Sequence, residues 1–204
     1  MSLNMIRKLS TRDLNRIVAI HITAFPGFFL TKMGEPFLIR FYSVAISHRN
    51  AIAIGIEIDS TLVGFCIGNT EPSSFYSALL KEAHRIIWPI VLAVFRNPFL
   101  LIDIINGTLR NLRSACSIDE PRESHICELA SLGCVSNGKG FGSMMVKEFI
   151  RTAESTGSKK IFLTTNLSEN ERVIKFYLNL GFSIKGIENR NNRALYRFEY
   201  EFKP

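Results

Sequence analysis

The sequence predicts a mixed α/β domain, and three observations carry that prediction. An apolar run, Leu129 to Val135, is followed by alternate glycines Gly138, Gly140 and Gly142, then by Met144, Met145, Val146, Phe149 and Ile150 at helical spacing. Ala51 to Ile58 and Leu62 to Gly68 form two apolar runs across Asp59 and Ser60, the pattern of a hairpin. Near the end, Phe182 to Ile187 and Ala194 to Phe202 flank an Asn189 to Asn192 turn and give a second pair of strands.

The other elements follow in chain order. Met5 to Leu9 suits a short strand, and Ser10 with Asp13 gives a capping box before a helix bearing Leu14, Ile17, Val18 and Ile20. Pro26 and Gly27 stop that helix. The turn from Phe25 to Leu30 is crowded with aromatics, and a further helix is expected from about Thr31 to Ser47, with Phe37, Leu38, Phe41 and Tyr42 inward. From Glu71 to about Arg122, two or three short helices are expected: Tyr76 to Arg85, one opened by Pro89, and one from Asn97 and Pro98 to Asn106 and Gly107. The uncharged run Ile86 to Phe95 is about ten residues, half the roughly twenty needed to cross a bilayer. After the glycines the helix runs to about Ser155, Gly157 ends it, and Lys160 to Thr165 makes the next strand.

Composition bounds the function. A chain of 204 residues suits one domain, 1–204, interrupted by a helical insertion at about 72–122. Cys66, Cys116, Cys127 and Cys134 lack CxxC spacing, which suits reduced core thiols and a cytoplasmic protein. The N-terminus has no signal-peptide pattern. The net charge of +7 favours anions, and no basic run interleaved with aromatics points to nucleic acid, so a polyphosphate ligand accounts for the charge more simply. His21, His48, His84 and His125 are scattered without a ligand-like pair, so no metal is expected.

A strand, a glycine turn and a helix together aim backbone N–H groups and a helix dipole at one point, a cradle for a pyrophosphate. Gly133, Gly138 and Lys139 have P-loop spacing, but Gly140 stands where a magnesium-binding hydroxyl is required. The dinucleotide fingerprint also fails, since Ser143, Met144 and Met145 follow Gly142 where its third glycine should stand. The run Asn137, Gly138, Lys139, Gly140, Phe141, Gly142 resembles the acetyl-CoA loop of GNAT-family N-acetyltransferases, with Asn137 in place of a longer Gln or Arg. Downstream, Asn170, Val173, Phe176, Tyr177, Gly181 and Phe182 resemble that family's second signature. The resemblance is loose over Met5 to Asn69 and good over Cys127 to Phe202.

What the resemblance implies is a twisted, mostly antiparallel mixed sheet of six or seven strands flanked by helices, with the insertion between strands 3 and 4. It implies transfer of acetyl from acetyl-CoA to a primary amine. Tyr177 matches the tyrosine that protonates the leaving thiolate, and Asn170 the residue that bonds the pantetheine arm. Glu128 matches the glutamate base of several members, with His125 as runner-up. Backbone amides at Leu132 or Cys134 hold the pantetheine and the thioester oxygen, and the loop with Ser143 holds the diphosphate. Phe28 and Phe29 mark the acceptor pocket. An amino sugar is favoured as acceptor, because the aromatic turn can stack on a sugar ring and the basic balance suits phosphorylated substrates, while other amines stay open. So do a different acyl-CoA donor and a non-catalytic CoA-binding module on the same fold. A thiol relay through Cys134 is disfavoured, since no histidine or aspartate stands at an informative spacing. The apolar insertion leaves open packing on the domain's own sheet, a homodimer face, a roof over the acceptor, or a peripheral membrane contact.

Overall fold

Ser10 and Asp13 close the predicted capping box: the Ser10 N–H donates to Asp13 Oδ2 at 2.8 Å, and Ser10 Oγ accepts from the Arg12 N–H at 3.3 Å. Asp13 is also held by Arg7, which donates to Asp13 Oδ1 and to Glu57 Oε1, both at 2.6 Å. One guanidinium thus ties the first strand, the first helical turn and the second strand. The computed structural model describes residues 4–82, 94–95, 125–135, 138–167, 171–190 and 193–202.

Strands β1 (Asn4–Lys8), β2 (Ala51–Ile58), β3 (Thr61–Asn69), β4 (Ile126–Cys134), β5 (Lys160–Asn166), β6 (Ser183–Arg190) and β7 (Arg193–Glu201) form one sheet. Their order is β1-β2-β3-β4-β5-β7-β6, and every pairing is antiparallel except β4 with β5. The β2–β3 turn falls on Asp59 and Ser60, both with positive φ, as a two-residue hairpin turn requires. Between β6 and β7 the strands reach Arg190 and restart at Arg193, longer than the sequence predicts, and 191–192 lie outside the described residues.

Helices α1 (Leu14–Ala24), α2 (Phe29–Lys32), α3 (Glu35–Ser47) and α4 (Pro72–Lys81) precede β4; α5 (Phe141–Ser155) and α6 (Glu171–Asn179) follow it. The single helix expected from Thr31 to Ser47 is two. The chain turns at Gly34, φ +87, and Pro36 then occupies the first turn of α3, where its missing N–H costs nothing. The helix expected from Tyr76 to Arg85 is α4, which starts at Pro72 and ends at Lys81. Of the rest of the insertion only Val94 and Phe95 are described; the helices expected at Pro89 and Asn97, and Cys116, lie outside the described residues. No helix among the described residues is long and apolar enough to cross a membrane.

The sheet has two cores. Ile52, Ile54 and Ile56 of β2 turn to one face with Cys66, Cys127, Leu129 and the apolar side of α5, where Met145, Val146 and Phe149 are fully buried. Ala53, Phe65 and Ile67 turn to the other, against Ile17, Val18 and Ile20 of α1 and Leu38 and Tyr42 of α3. Strand alternation therefore sorts the helices into two layers.

Strand β4 departs from regular pairing on both of its edges. Its pairing with β3 steps from Ile67 with Ser131 to Gly68 with Leu129, so Ala130 is an extra residue, a β-bulge. Its pairing with β5 ends at Glu128 with Phe162, although β4 continues to Cys134 and β5 to Asn166. The two strands fork.

Gly68 sits at the bulge. A Cβ there would collide with the Glu128 carbonyl oxygen and stand 2.5 Å from Phe149 Cζ. Gly68→Ala is therefore expected to cost about 3 kcal/mol, read as a lowered urea midpoint; an unchanged midpoint would refute this close approach. Asp13 supplies a pH dependence. Its hydrogen bond with Arg7 holds its carboxyl below the usual range, so its contribution is complete above the unfolded value and is lost as pH falls from about 4. Asp13→Asn should lower stability at pH 7 and flatten that acid limb in denaturation curves taken from pH 7 to pH 2.

Candidate active site

The site is built around the fork. By the two-residue alternation of a strand, the Val135 N–H, bonded to the Val63 carbonyl at 2.9 Å, places the Gly133 N–H toward β3 and the Leu132 and Cys134 N–H groups toward the open side. Both candidate pantetheine contacts thus face the gap. Their side chains lie on the α5 layer, half-buried, so any contact they make in the gap is through backbone.

At the end of β4 the chain enters the glycine turn. Gly138 and Gly140 have φ of +83 and +77, a region that strains any residue with a Cβ, and nothing stands within 4 Å of where a Cβ would be. The space in front of them is open. Helix α5 begins at Phe141, with Gly140 as its N-cap and no side-chain hydrogen bond to the cap. Among the described residues the first-turn N–H groups therefore lack a side-chain cap, as an anion site requires. Lys139 is exposed at the rim, Ser143 is half-buried, and the Phe141 ring is core, leaving only its backbone for the cradle. Gly142 has a packing role: a Cβ there would stand 3.3 Å from Phe176 Cζ, so its lack of one lets α6 approach α5. These features fit a diphosphate held by main-chain nitrogens. Asn137 and Asn170 lie outside the described residues.

Tyr177 comes from α6 into the α5 layer. It is 6% exposed, with ring contacts to Phe176, Phe182 and Phe198. Burial holds its phenol protonated well above the ordinary range, with the nearby Cys66 adding to the shift. Among the described residues its hydroxyl makes no hydrogen bond.

Glu128 stands at the last paired rung of the fork and faces the opposite layer. It is 7% exposed, and its Oε1 accepts a hydrogen bond from the Tyr76 hydroxyl of α4 at 3.1 Å. The bulge then shifts the side-chain phase, so that Ser131 and Gly133 share that layer: Ser131 Oγ lies 3.0 Å from the Tyr42 hydroxyl, and Gly133 lies beside the Phe65 and Phe25 rings. His125 sits exposed in the turn before β4, three residues from Glu128 on the side away from the glycine turn.

The two acceptor-pocket phenylalanines separate. Phe28 is 39% exposed and stacks edgewise on Phe25, near Gly133, while Phe29 packs with Met33 and Phe37 in a small satellite core. A cavity of about 470 Å³ opens between α3 and α4, lined by Arg40, His48, Arg49 and Glu82, and none of the predicted site residues lines it. Among the described residues no group of three or more His, Cys, Asp or Glu side chains could hold a metal ion. Sequence reasoning misses Tyr76, His21, Tyr42 and Ser131 as polar members of this region, and no local pattern marks them.

Residues 115–182 match the family model of the acetyltransferase (GNAT) family. No curated protein matches the sequence. Among solved structures, a GNAT-family acetyltransferase from Desulfovibrio desulfuricans aligns over 98% of this chain and 99% of its own, at TM-score 0.63 and 11% identity. An N-acetyltransferase from Staphylococcus aureus aligns over 99% and 100%, at 0.62 and 17%. The PaiA N-acetyltransferase from Thermoplasma acidophilum, solved in complex with coenzyme A, aligns over 98% and 99%, at 0.60 and 15%. At these identities the structures report the fold, a seven-stranded open sheet with helices on both faces. Residues 115–182 carry the acetyltransferase (GNAT) family pattern, within a chain whose overall fold is that of GNAT-family structures.

Proposed function

We propose that this chain is an acetyl-CoA-dependent N-acetyltransferase acting by direct transfer to a primary amine. The observation that carries the proposal is the fork: it is a gap in the sheet with Tyr177 buried on one face and Glu128 on the other. A thioester lying in the gap can meet an amine from the Glu128 side and lose its thiolate toward the Tyr177 side. Base and acid then never compete for the same proton.

In this reading the N–H groups from Gly138 to Ser143 grip the diphosphate, with Lys139 adding charge, and the Leu132 and Cys134 amides line the gap. Asn137 and Asn170 would extend the grip by side chain, as the family resemblance implies. Glu128, directly or through a water, takes the proton of the incoming ammonium. The nitrogen lone pair then bonds to the carbonyl carbon, the C–S bond breaks, sulfur keeps the electron pair and takes the Tyr177 proton, and the nitrogen gives up its second proton to solvent as the amide forms. The phenol is reprotonated from solvent. Burial that raises a phenol's pKa raises that of a thiol in the same surroundings, so transfer between them stays close to balanced. Phe28, exposed beside Phe25, is the surface for the acceptor, and an amino sugar suits an aromatic platform of this kind.

A covalent relay through Cys134 is unattractive because burial pushes its thiol up to about 11, leaving almost no thiolate at neutral pH. Alkylation by iodoacetamide at pH 7.5 should be about two orders of magnitude slower at Cys134 than at free cysteine. Labelling at the free-cysteine rate would reopen the relay.

Incubating the protein with acetyl-CoA and a panel of amino sugars, peptide N-termini and polyamines, with thiol release as readout, should identify at least one acceptor. Binding of acetyl-CoA with no release on any amine would favour a non-catalytic CoA-binding module. With a responsive amine, Tyr177→Phe should lower kcat about 10²-fold and leave the KM for acetyl-CoA within about twofold, and Glu128→Gln should do the same. An undiminished kcat in either variant removes that residue from its role. Gly140→Ala should weaken coenzyme A binding about tenfold in calorimetry, because a Cβ strains the left-handed backbone of the cradle.

A further inference from the structure

Three polar side chains stand in a row on the α1/α3 face, and neither the core nor the roles of Glu128 and Tyr177 account for them. His21 Nδ1 lies 2.7 Å from the Tyr42 hydroxyl, which lies 3.0 Å from Ser131 Oγ. His21 is 3% exposed and Tyr42 0%, and among the described residues His21 Nε2 has no hydrogen-bond partner. Phe25 packs on the imidazole and Phe65 on the phenol. Phenylalanine would fill both places without the desolvation that a histidine and a tyrosine incur. The row ends at Ser131, half-buried on the stretch of β4 that β5 has left.

The direction of the bonds follows from the imidazole. Burial pushes its pKa down to about 4, so at working pH it carries one ring proton. On Nε2 that proton would be a buried donor with nothing to accept it; on Nδ1 it bonds to the Tyr42 oxygen and only a lone pair is left bare. A buried donor left without an acceptor is costly, so we place the proton on Nδ1, where it is bonded, rather than on Nε2, where no acceptor stands among the described residues. Tyr42 then gives its hydrogen to Ser131 Oγ. The hydrogen of Ser131 is left over, free to be donated outward.

We infer that this row presents Ser131 as a hydroxyl donor to the acyl carbonyl oxygen of a thioester held in the fork, with Tyr42 and His21 as its positioning residues. The inference rests on the acyl-transfer reading of the site. A donor suits that oxygen, on which negative charge grows, and not the attacking amine, whose lone pair must stay free. Because Tyr42 fixes the hydroxyl beforehand, no reorientation is needed as the charge develops.

The test uses the full chain and acetyl-CoA carrying ¹³C at the carbonyl. Infrared spectroscopy of the bound thioester should show a carbonyl band lowered by the hydrogen bond, restored toward its free position in Ser131→Ala, and lowered again in Ser131→Thr. Tyr42→Phe should give a broadened, intermediate band, since the hydroxyl persists without its anchor. With a responsive amine, Ser131→Ala should lower kcat about 10²-fold with the KM for acetyl-CoA within about twofold. A band at the same position in wild type and Ser131→Ala, with the thioester bound to both, overturns this inference alone. Failure of the wild-type chain to bind acetyl-CoA overturns the acyl-transfer reading and this inference with it.

Discussion

The loss of pairing between β4 and β5 beyond Glu128 and Phe162 is the constraint on which the rest of the molecule depends. A continuous sheet separates its two helical layers completely, since every backbone group between the strands is bonded. Here the parallel pair lasts three rungs, after which β5 stays with β7 while β4 stays with β3. The polar backbone exposed in the gap must find partners, and an extended ligand is one way to supply them. In the proposed reaction the same separation lets side chains of opposite layers act on one molecule.

Local devices hold this arrangement in place. The extra residue at Ala130 changes which face β4 presents, so that Glu128 before it and Ser131 after it share a layer, while Leu129, Leu132 and Cys134 fill the core under α5. The bulge is tolerated because Gly68, opposite, offers no Cβ to the Glu128 carbonyl or the Phe149 ring. At the far end of β4 the left-handed glycines turn the chain into α5 without a side-chain cap, which leaves its first amides open. Gly142 then lets Phe176 pack closely, which draws α6, and with it Tyr177, against the helix that begins at the cradle.

Much of this is legible in the sequence wherever the cause is local. The capping box at Ser10 and Asp13, the hairpin at Asp59 and Ser60, and the strand, glycine turn and helix around Gly140 depend on residues a few positions apart. The break before α3 is local too: Gly34 followed by Pro36 is a helix-start signal inside a run whose apolar spacing alone suggests continuity. Features set by distant pairing are not legible. Nothing near Ala130 marks a bulge that its partner strand defines, and the order β5-β7-β6 is chosen by packing across the sheet. His21 meets Tyr42 at a separation of 21 residues, and Tyr42 meets Ser131 at 89, so the histidines look scattered until the chain is folded. Glu128 is legible as a candidate base through the family resemblance, whereas the bond it accepts from Tyr76, on a helix outside the family pattern, is not.

The position of β7 between β5 and β6 has a consequence for how the molecule is assembled. β5 and β6 are both made before β7; β5 has β4 to pair with at once, but β6 waits for the strand that will lie between them. The phenol of Tyr177 rests on Phe198 of that late strand. During synthesis the glycine turn and the carboxylate at the fork are thus made before the strand on which the phenol rests. On the reading proposed above, the parts that would grip a ligand are made before the strand that seats the phenol.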